Sequence, residues 1–345
     1  MLVCGALSAL VLLLAGTAWG LTSYINSAVA RVNAGTAGGG YGGPLNVLLA
    51  GVDLRTGLTR AQQLQLHVGR AVSFNSDTMM IIHVSADRSR VTVISLPRDS
   101  WVDIPGHGMN KINAAFGLGG PRLMVATVQQ LTGLTINHFV EVNFLGFVKI
   151  INALGGVDVC LPFAVDDPDS GLHLSAGVHH VNGITALKYA RDRHSFAASD
   201  LARIANQQSL LSSLLREAIS SHTLTNPLRL SAFLRAVLSV IKVDQGLNLT
   251  ALADQLKGIT LREVKFLTVP LANPNYLTPT GESAVLWDAT AAERIFGKLR
   301  ADQPLTAPAG NGSGHPRPSG RPRPARGGGS PPPGGARTAA QAACT

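Results

Sequence analysis

The 345-residue chain predicts a three-layer α/β/α sandwich with a mixed central sheet, preceded by an N-terminal transmembrane helix. Three observations carry that prediction. Short apolar runs alternate with helix-length periodic segments between residues 44 and 305. Runs such as Met79-Met80-Ile81-Ile82 are apolar at every position, as expected of strands covered on both faces. Residues 1–30 carry no charged side chain, and their apolar stretch of about 20 residues is long enough to span a bilayer.

The elements follow in order. Residues 1–30 read as an uncleaved signal anchor, with a cleaved signal peptide as the alternative; either one exports the rest of the chain. Residues 31–43 are a Gly-rich linker, and the folded part is expected to start near Pro44. Leu45–Val52 is a strand ending at Asp53, and 54–75 a polar loop. Thr78–Val84 and Val91–Leu96 are strands joined by the turn Asp87-Arg88-Ser89. Residues 121–132 form a helix stopped by Gly133, Ile136–Val142 a strand, Phe144–Leu154 a helix stopped by Gly155-Gly156, and Val157–Leu161 a strand. Helices follow at Asn182–Tyr189, Leu201–Ile219, 228–241 and 248–257. A late strand at Val264–Val269 and a helix at Ala289–Leu299 close the domain at 305. Residues 306–345 are a disordered Pro/Gly/Arg-rich tail.

Composition removes several classes. The chain is 46% apolar and 14% charged, against about 25% charged for an ordinary soluble domain; the charge-poor ends account for the gap. Frequent, periodic Leu, Val, Ile and Phe exclude a wholly disordered chain. Three cysteines are too few for a disulfide scaffold, and Cys4, Cys160 and Cys344 are read as buried or idle thiols. One spanning stretch excludes a polytopic membrane protein. The net charge of +9 falls to +4 without Arg317, Arg321, Arg323, Arg326 and Arg337 of the tail. With no helix-turn-helix, RNP or zinc-finger spacing, no nucleic-acid partner is expected.

The residues with chemical potential sit at strand ends and on one helix face. Asp53 ends the first strand, Asp77 opens the second, and Arg98-Asp99 follow the third. The short turn makes paired hairpin positions sum to about 175–177, which places Asp77 opposite 98–100. Arg191 and Arg193 share a side if Ala190–Arg193 is extended. On a helix, Asp200, Arg203 and Gln207 fall within about 60° of one another. Four arginines, Lys111 and strand-end aspartates suit a phosphate or pyrophosphate ligand with Mg²⁺, because guanidinium forks match phosphate oxygens and Mg²⁺ takes one or two carboxylates plus substrate phosphates. There is no Gly-x-Ser-x-Gly elbow and no Gly-x-x-x-x-Gly-Lys-Ser/Thr loop.

These residues lie in blocks that resemble the LytR-CpsA-Psr domain of bacterial cell-envelope proteins, in its actinobacterial form. The blocks are Leu48-Leu49-Ala50-Gly51-Val52-Asp53, Ser76-Asp77-Thr78-Met79, Leu96-Pro97-Arg98-Asp99, Lys111-Ile112-Asn113, Leu154-Gly155-Gly156-Val157, Ala186–Arg193 and the Asp200/Arg203/Gln207 helix. The resemblance implies a single-pass cell-membrane protein with its domain outside the cell. It implies a phosphotransferase moving a glycopolymer from a polyprenyl-pyrophosphate carrier to a peptidoglycan hydroxyl. It implies Mg²⁺ on Asp53 and Asp77, and pyrophosphate contacts from Arg98, Arg191, Arg193, Arg203 and Gln207, with Asp200 holding arginines in place; Lys111 is a further substrate-binding candidate. Arg98, Asp99 and Arg203 are the catalytic candidates, Asp99 as the base for the acceptor. The isoprenoid needs an apolar slot, for which Phe139–Ile150 is the candidate. The chain departs from the family pattern at Asn75 and Asn206, where arginine is usual, so each change removes a cation near the phosphates. A non-catalytic module that binds polyprenyl phosphates is therefore the alternative.

Overall fold

Side-chain alternation decides how the layers form. Along Leu45–Val52, Leu48, Ala50 and Val52 join Met79, Ile81, Ile94 and Leu96 on one side of the sheet, while Leu45 and Val47 join Met80, Val84, Val91 and Val93 on the other. Each set meets its own helices. The first packs on Met124, Val125 and Val128 of the Ala114–Thr132 helix and on Phe296 and Leu299 of the Ala289–Arg300 helix. The second packs on Leu211 and Leu215 of the Ser199–Ile219 helix and on Leu252 and Leu256 of the Leu249–Leu256 helix. Burying each such side chain contributes roughly 1.5–3 kcal/mol, and helices on both faces explain the uninterrupted apolar runs.

The computed structural model describes residues 23, 25–39, 41–52, 59–65, 76–192, 199–219, 226–305 and 337–338. Among them the central sheet has eight strands, in the spatial order Ala30–Val32, Ile241–Asp244, His138–Asn143, Leu45–Val52, Ser76–Val84, Val91–Leu96, Val264–Thr268 and Arg337–Thr338. The sheet is mixed. Leu45–Val52 runs antiparallel to Ser76–Val84 and parallel to His138–Asn143. The hairpin keeps the expected register, with Met79 opposite Leu96 and Met80 opposite Ser95.

Helix ends follow local chemistry. Gly133 closes Ala114–Thr132 in the left-handed region at φ 63°, a conformation glycine adopts without a Cβ penalty, and its N–H donates to the Gln129 carbonyl. The same helix is broken at Gly119 and Gly120, and Pro121 opens its second segment, which is why the expected helix over 121–132 is found with an added turn before it. Asn143 caps Phe144–Leu154 by accepting from the Gly146 N–H at 2.7 Å.

Several expectations change. The helix expected over 228–241 ends at Leu238, and Ile241–Asp244 is a strand between Ala30–Val32 and His138–Asn143. Its Asp244 explains the switch. The carboxylate accepts from His138 Nδ1 and from the N–H groups of Phe139 and Gly246, tying the segment to the neighbouring strand. The 31–43 segment is not a free tether at its start: Ala30–Val32 is a strand, Ala34 is buried, and the Ala37 and Gly38 N–H groups donate to Ile136 and Asn137 carbonyls. Within the expected loop 54–75, Arg60–Gln65 is helical. In the expected tail, Arg337–Thr338 pairs with Lys265 and Phe266; the rest of 306–345 lies outside the described residues. Cys160 is disulfide-bonded rather than idle, and the chain's other two cysteines lie outside the described residues. No described helix is long and apolar enough to cross a membrane, and the predicted anchor over 1–30 lies mostly outside the described residues.

Candidate functional site

On the helix face that carries Leu211, the packing opens into a cavity of about 620 Å³. Its two ends differ in chemistry. Asp77, Arg98, Arg191, Arg203, Gln207 and Asp167 supply charged and polar groups, whereas Phe144, Phe147, Ile150, Leu214, Phe233 and Val237 supply apolar surface. A volume of this size is in the range that holds a sizeable small-molecule ligand.

The backbone after the third strand is fixed before any ligand arrives. The Ser100 hydroxyl donates to the Pro97 carbonyl at 2.6 Å and receives the Trp287 indole N–H at 2.7 Å. The Asn113 N–H donates to the Arg98 carbonyl and the Val285 N–H to the Asp99 carbonyl. Arg98 then donates from Nη1 to Asp77 at 2.5 Å and from Nε to Asp99 at 3.3 Å. The hairpin register therefore does bring Asp77 and Arg98 together. Asp99 sits behind Arg98, away from the cavity lining, with Lys111 Nζ 3.8 Å from its carboxylate. Lys111 also lies 3.9 Å from Glu282 and does not line the cavity.

The helix face is organised by the residues beside it. Arg203 and Gln207 both line the cavity, as their spacing requires. Between and beyond them, Asn206 donates to the Tyr189 carbonyl at 3.3 Å, and Gln208 Nε2 donates to the Ser95 hydroxyl at 2.9 Å and the Leu267 carbonyl at 3.2 Å. Asn206 thus ties this helix to the one that ends at Arg191, and Gln208 ties it to the strand that leads to Arg98. Both amides are buried. Asn206 is absent from the cavity lining, and its amide holds the Tyr189 carbonyl instead.

Arg191 belongs to the last turn of the Gly183–Arg191 helix, not to an extended segment, so alternation with Arg193 does not apply. Its guanidinium lies 5.8 Å from the centre of the Phe144 ring, within cation–π range, at the junction of the polar and apolar ends. Phe139 is fully buried in the opposite core and leaves the cavity to its neighbours Val142, Asn143, Phe144, Phe147 and Ile150. Asp53, Asn75 and Arg193 lie outside the described residues, as does the side chain of Asp200.

Sequence reasoning missed Asp167, at the end of the short strand Val165–Asp167, and Asp169 and Ser170, in the loop that joins this strand to its partner Leu172–Leu174; all three line the cavity. The only signal was the turn-like Asp167-Pro168-Asp169-Ser170 run. It also missed Phe233 and Val237, whose helical periodicity was legible but whose partner was not.

Comparison with known proteins decides the family. The family model LytR_cpsA_psr matches residues 24–301. The chain belongs to the LytR-CpsA-Psr family. It is 35% identical over 285 residues to the cell wall biosynthesis protein LcpA of Corynebacterium glutamicum, an alignment covering 74% of this chain and 55% of LcpA. It is 35% identical over 259 residues to the probable cell wall biosynthesis protein LcpB of the same organism, covering 74% of this chain and 61% of LcpB. The chain therefore spans somewhat more than half the length of these relatives. Among solved structures, B. subtilis TagV matches with a TM-score of 0.62 and 25% identity, over 76% of this chain and 97% of that one. Five of the seven motif blocks contribute residues to the lining of this cavity, while Lys111-Ile112-Asn113 and Leu154-Gly155-Gly156-Val157 contribute none.

Among the described residues no group of three or more His, Cys, Asp or Glu encloses an ion site. The cavity lining offers the carboxylates of Asp77, Asp167 and Asp169. These are oxygen donors of the kind that a hard cation takes together with substrate oxygens.

Proposed function

We propose that the protein is an envelope phosphotransferase that moves a glycopolymer from a polyprenyl-pyrophosphate carrier onto peptidoglycan. The observation that carries this reading is the two-part cavity. Arg98, Arg191 and Arg203 converge from three separate segments on its polar end, and phenylalanine and aliphatic side chains line the rest. A molecule with a diphosphate joined to a long apolar chain matches both halves. The cell-wall names of the relatives LcpA and LcpB agree with it.

Phosphoryl transfer asks the protein for alignment and charge neutralisation more than for a covalent catalyst. In this reading the three guanidiniums and the Gln207 amide bind the diphosphate oxygens, and the apolar end holds the isoprenoid. The acceptor hydroxyl oxygen bonds to the phosphorus carrying the glycan, the bond from that phosphorus to the bridging oxygen breaks, and polyprenyl phosphate leaves with the negative charge, its phosphate oxygens taking up the proton the hydroxyl releases. Arg203 and Arg191 offset that charge. Asp99 orients Arg98 through the Nε bond, a role its place behind Arg98 favours over that of base. Mg²⁺ on Asp77 and Asp53 would neutralise further phosphate charge. The disulfide at Cys160 accords with a domain working in an oxidising compartment outside the cell, anchored by residues 1–30.

The test is turnover. Purified full-length protein, a lipid-pyrophosphate glycan, a peptidoglycan acceptor and Mg²⁺ should give acceptor-linked glycan and free polyprenyl phosphate. Asp77→Ala should lose Mg²⁺-dependent turnover while keeping its melting temperature. Tight lipid-pyrophosphate binding without any turnover would instead support the binding module.

A further inference from the structure

Two helices wall the apolar end of the cavity, and their outer sides carry one sign of charge. Phe144–Leu154 contributes Phe144, Phe147 and Ile150 to the lining, and Pro227–Leu238 contributes Phe233 and Val237. At 100° per residue the second helix places Leu230, Phe233, Leu234, Val237 and Leu238 on one side and Arg229, Ala232 and Arg235 on the other. The latter three are exposed, as is Lys149 on the first helix. Neither helix contains an Asp or Glu. An ordinary solvated helix face mixes both signs; a helix with an apolar underside and only basic residues outward is the pattern of a membrane-surface element.

The chain's entry point lies on the same side. Ile25 and Val29 pack in the hydrophobic cluster that contains Ile150, Val142, Phe233 and Val237, and all four of these line the cavity. The residues before Ile25 are uncharged and largely apolar. The N-terminal segment thus reaches the domain beside the apolar end of the cavity and not beside its arginines.

We infer that the outer face of these two helices docks on an anionic lipid surface, with Lys149, Arg229 and Arg235 meeting headgroup phosphates. Docked so, the apolar end of the cavity lies against the bilayer, and a polyprenyl chain passes into it without crossing water. That consequence rests on the function proposed above; the docking itself does not.

The docking is read by hydrogen exchange of the full chain in nanodiscs. Amides of Pro227–Leu238 should exchange about fivefold more slowly when the discs contain phosphatidylglycerol than when they are phosphatidylcholine alone, in line with the attraction of each basic residue to an anionic surface. Lys149→Glu/Arg229→Glu/Arg235→Glu should abolish that difference. So should Ala232→Glu, which adds an acid to the face and leaves the three cations in place. Equal exchange in the two lipids overturns the docking, and so does lipid-dependent protection that survives both variants. A second measurement separates the surface from the cavity. The triple variant should take up lipid pyrophosphate about tenfold less well from anionic vesicles, and as well as the parent in neutral detergent. Loss in both media would assign these cations to the cavity and overturn the proposal. A parent that binds in neither medium refutes the proposed function, while the exchange result still decides the docking.

Discussion

The two faces of the central sheet are made by the same strands and serve opposite ends. On the face covered by Ala114–Thr132 and Ala289–Arg300, Leu48, Ile81, Ile94, Phe139 and Phe296 are at most 1% exposed and the core is closed. On the other face, Leu49, Val142 and Leu211 are only partly buried, and the packing parts to leave the cavity. The difference lies in what crosses the sheet. The open face has a long helix tied down by polar bonds from Gln208 and Asn206, and its neighbours Phe144–Leu154 and Pro227–Leu238 pack on each other. A protein gains a binding site by leaving one face short of apolar contacts and holding it open with hydrogen bonds.

The largest effect tests that contrast. Phe139→Ala on the closed face should cost ~3–5 kcal/mol, the range for deleting a buried aromatic side chain. Phe233→Ala, which faces the cavity, should cost less than ~1.5 kcal/mol and weaken lipid binding instead. Urea unfolding of both variants measures this. Equal losses would mean that the open face is core and the cavity no preformed site.

Next come the arginines. A hydrogen bond to a charged group contributes roughly 1.5–3 kcal/mol, about one to two decades in affinity. Arg203→Ala and Arg191→Ala should each weaken polyprenyl-pyrophosphate binding by about that much. Arg→Lys should recover little, because a point charge does not reproduce a planar fork. Folded variants that bind like the parent in calorimetry would remove the diphosphate site. Gln208→Ala should have a smaller effect, about severalfold, because Gln208 touches only the sheet; Gln208→Glu, which cannot donate to the Leu267 carbonyl, should not rescue it.

Much of this was legible before any coordinates. The hairpin register followed from a turn and a period of two, and it put Asp77 beside Arg98. The Arg203/Gln207 face followed from a period of 3.6. What stayed hidden depends on non-local pairing. Ile241 looked like the end of a helix because Val237, Leu238, Val240 and Ile241 are apolar; the buried Asp244 carboxylate, bonded to His138 on a strand 106 residues away, makes Ile241–Asp244 a strand. Asn206 was read for the charge it lacks; its bond to the Tyr189 carbonyl was not legible in the sequence. Lys111 and Asp99 have the residue types of a site, but their bonds run to each other and to Arg98 behind it. Phe139 was counted with its cavity-lining neighbours, yet it points the other way, since neighbouring residues of a strand face opposite sides.

The smallest expected effect is a pair of opposite pH responses. His83 sits on the closed face, with Nδ1 2.8 Å from Asn46 Oδ1 and Nε2 3.4 Å from Asp302. Burial lowers its pKa below the ordinary 6.5, and Asp302 only partly offsets this. The folded state therefore binds this proton less readily than the unfolded chain. The stability linked to neutral His83 is complete above pH 6.5 and is lost as the pH falls toward the folded pKa. His180 lies on the exposed Gly177–Val181 strand. Hydrogen bonds with the Asp158 carboxylate and the Gly155 carbonyl raise its pKa. Its contribution is complete below pH 6.5 and disappears as the pH rises through the higher folded value. Both partners are about 60% exposed, so solvent screening holds that contribution to a few tenths of a kcal/mol at most. Urea midpoints measured from pH 5 to 8 separate the two. His83→Gln should flatten the acid limb, and Asp158→Asn should leave that limb alone and remove only a shallow decline toward pH 8. If Asp158→Asn moved the acid limb instead, the exposed hairpin would be coupled to the closed face, and the two sides of the sheet would not be independent in stability.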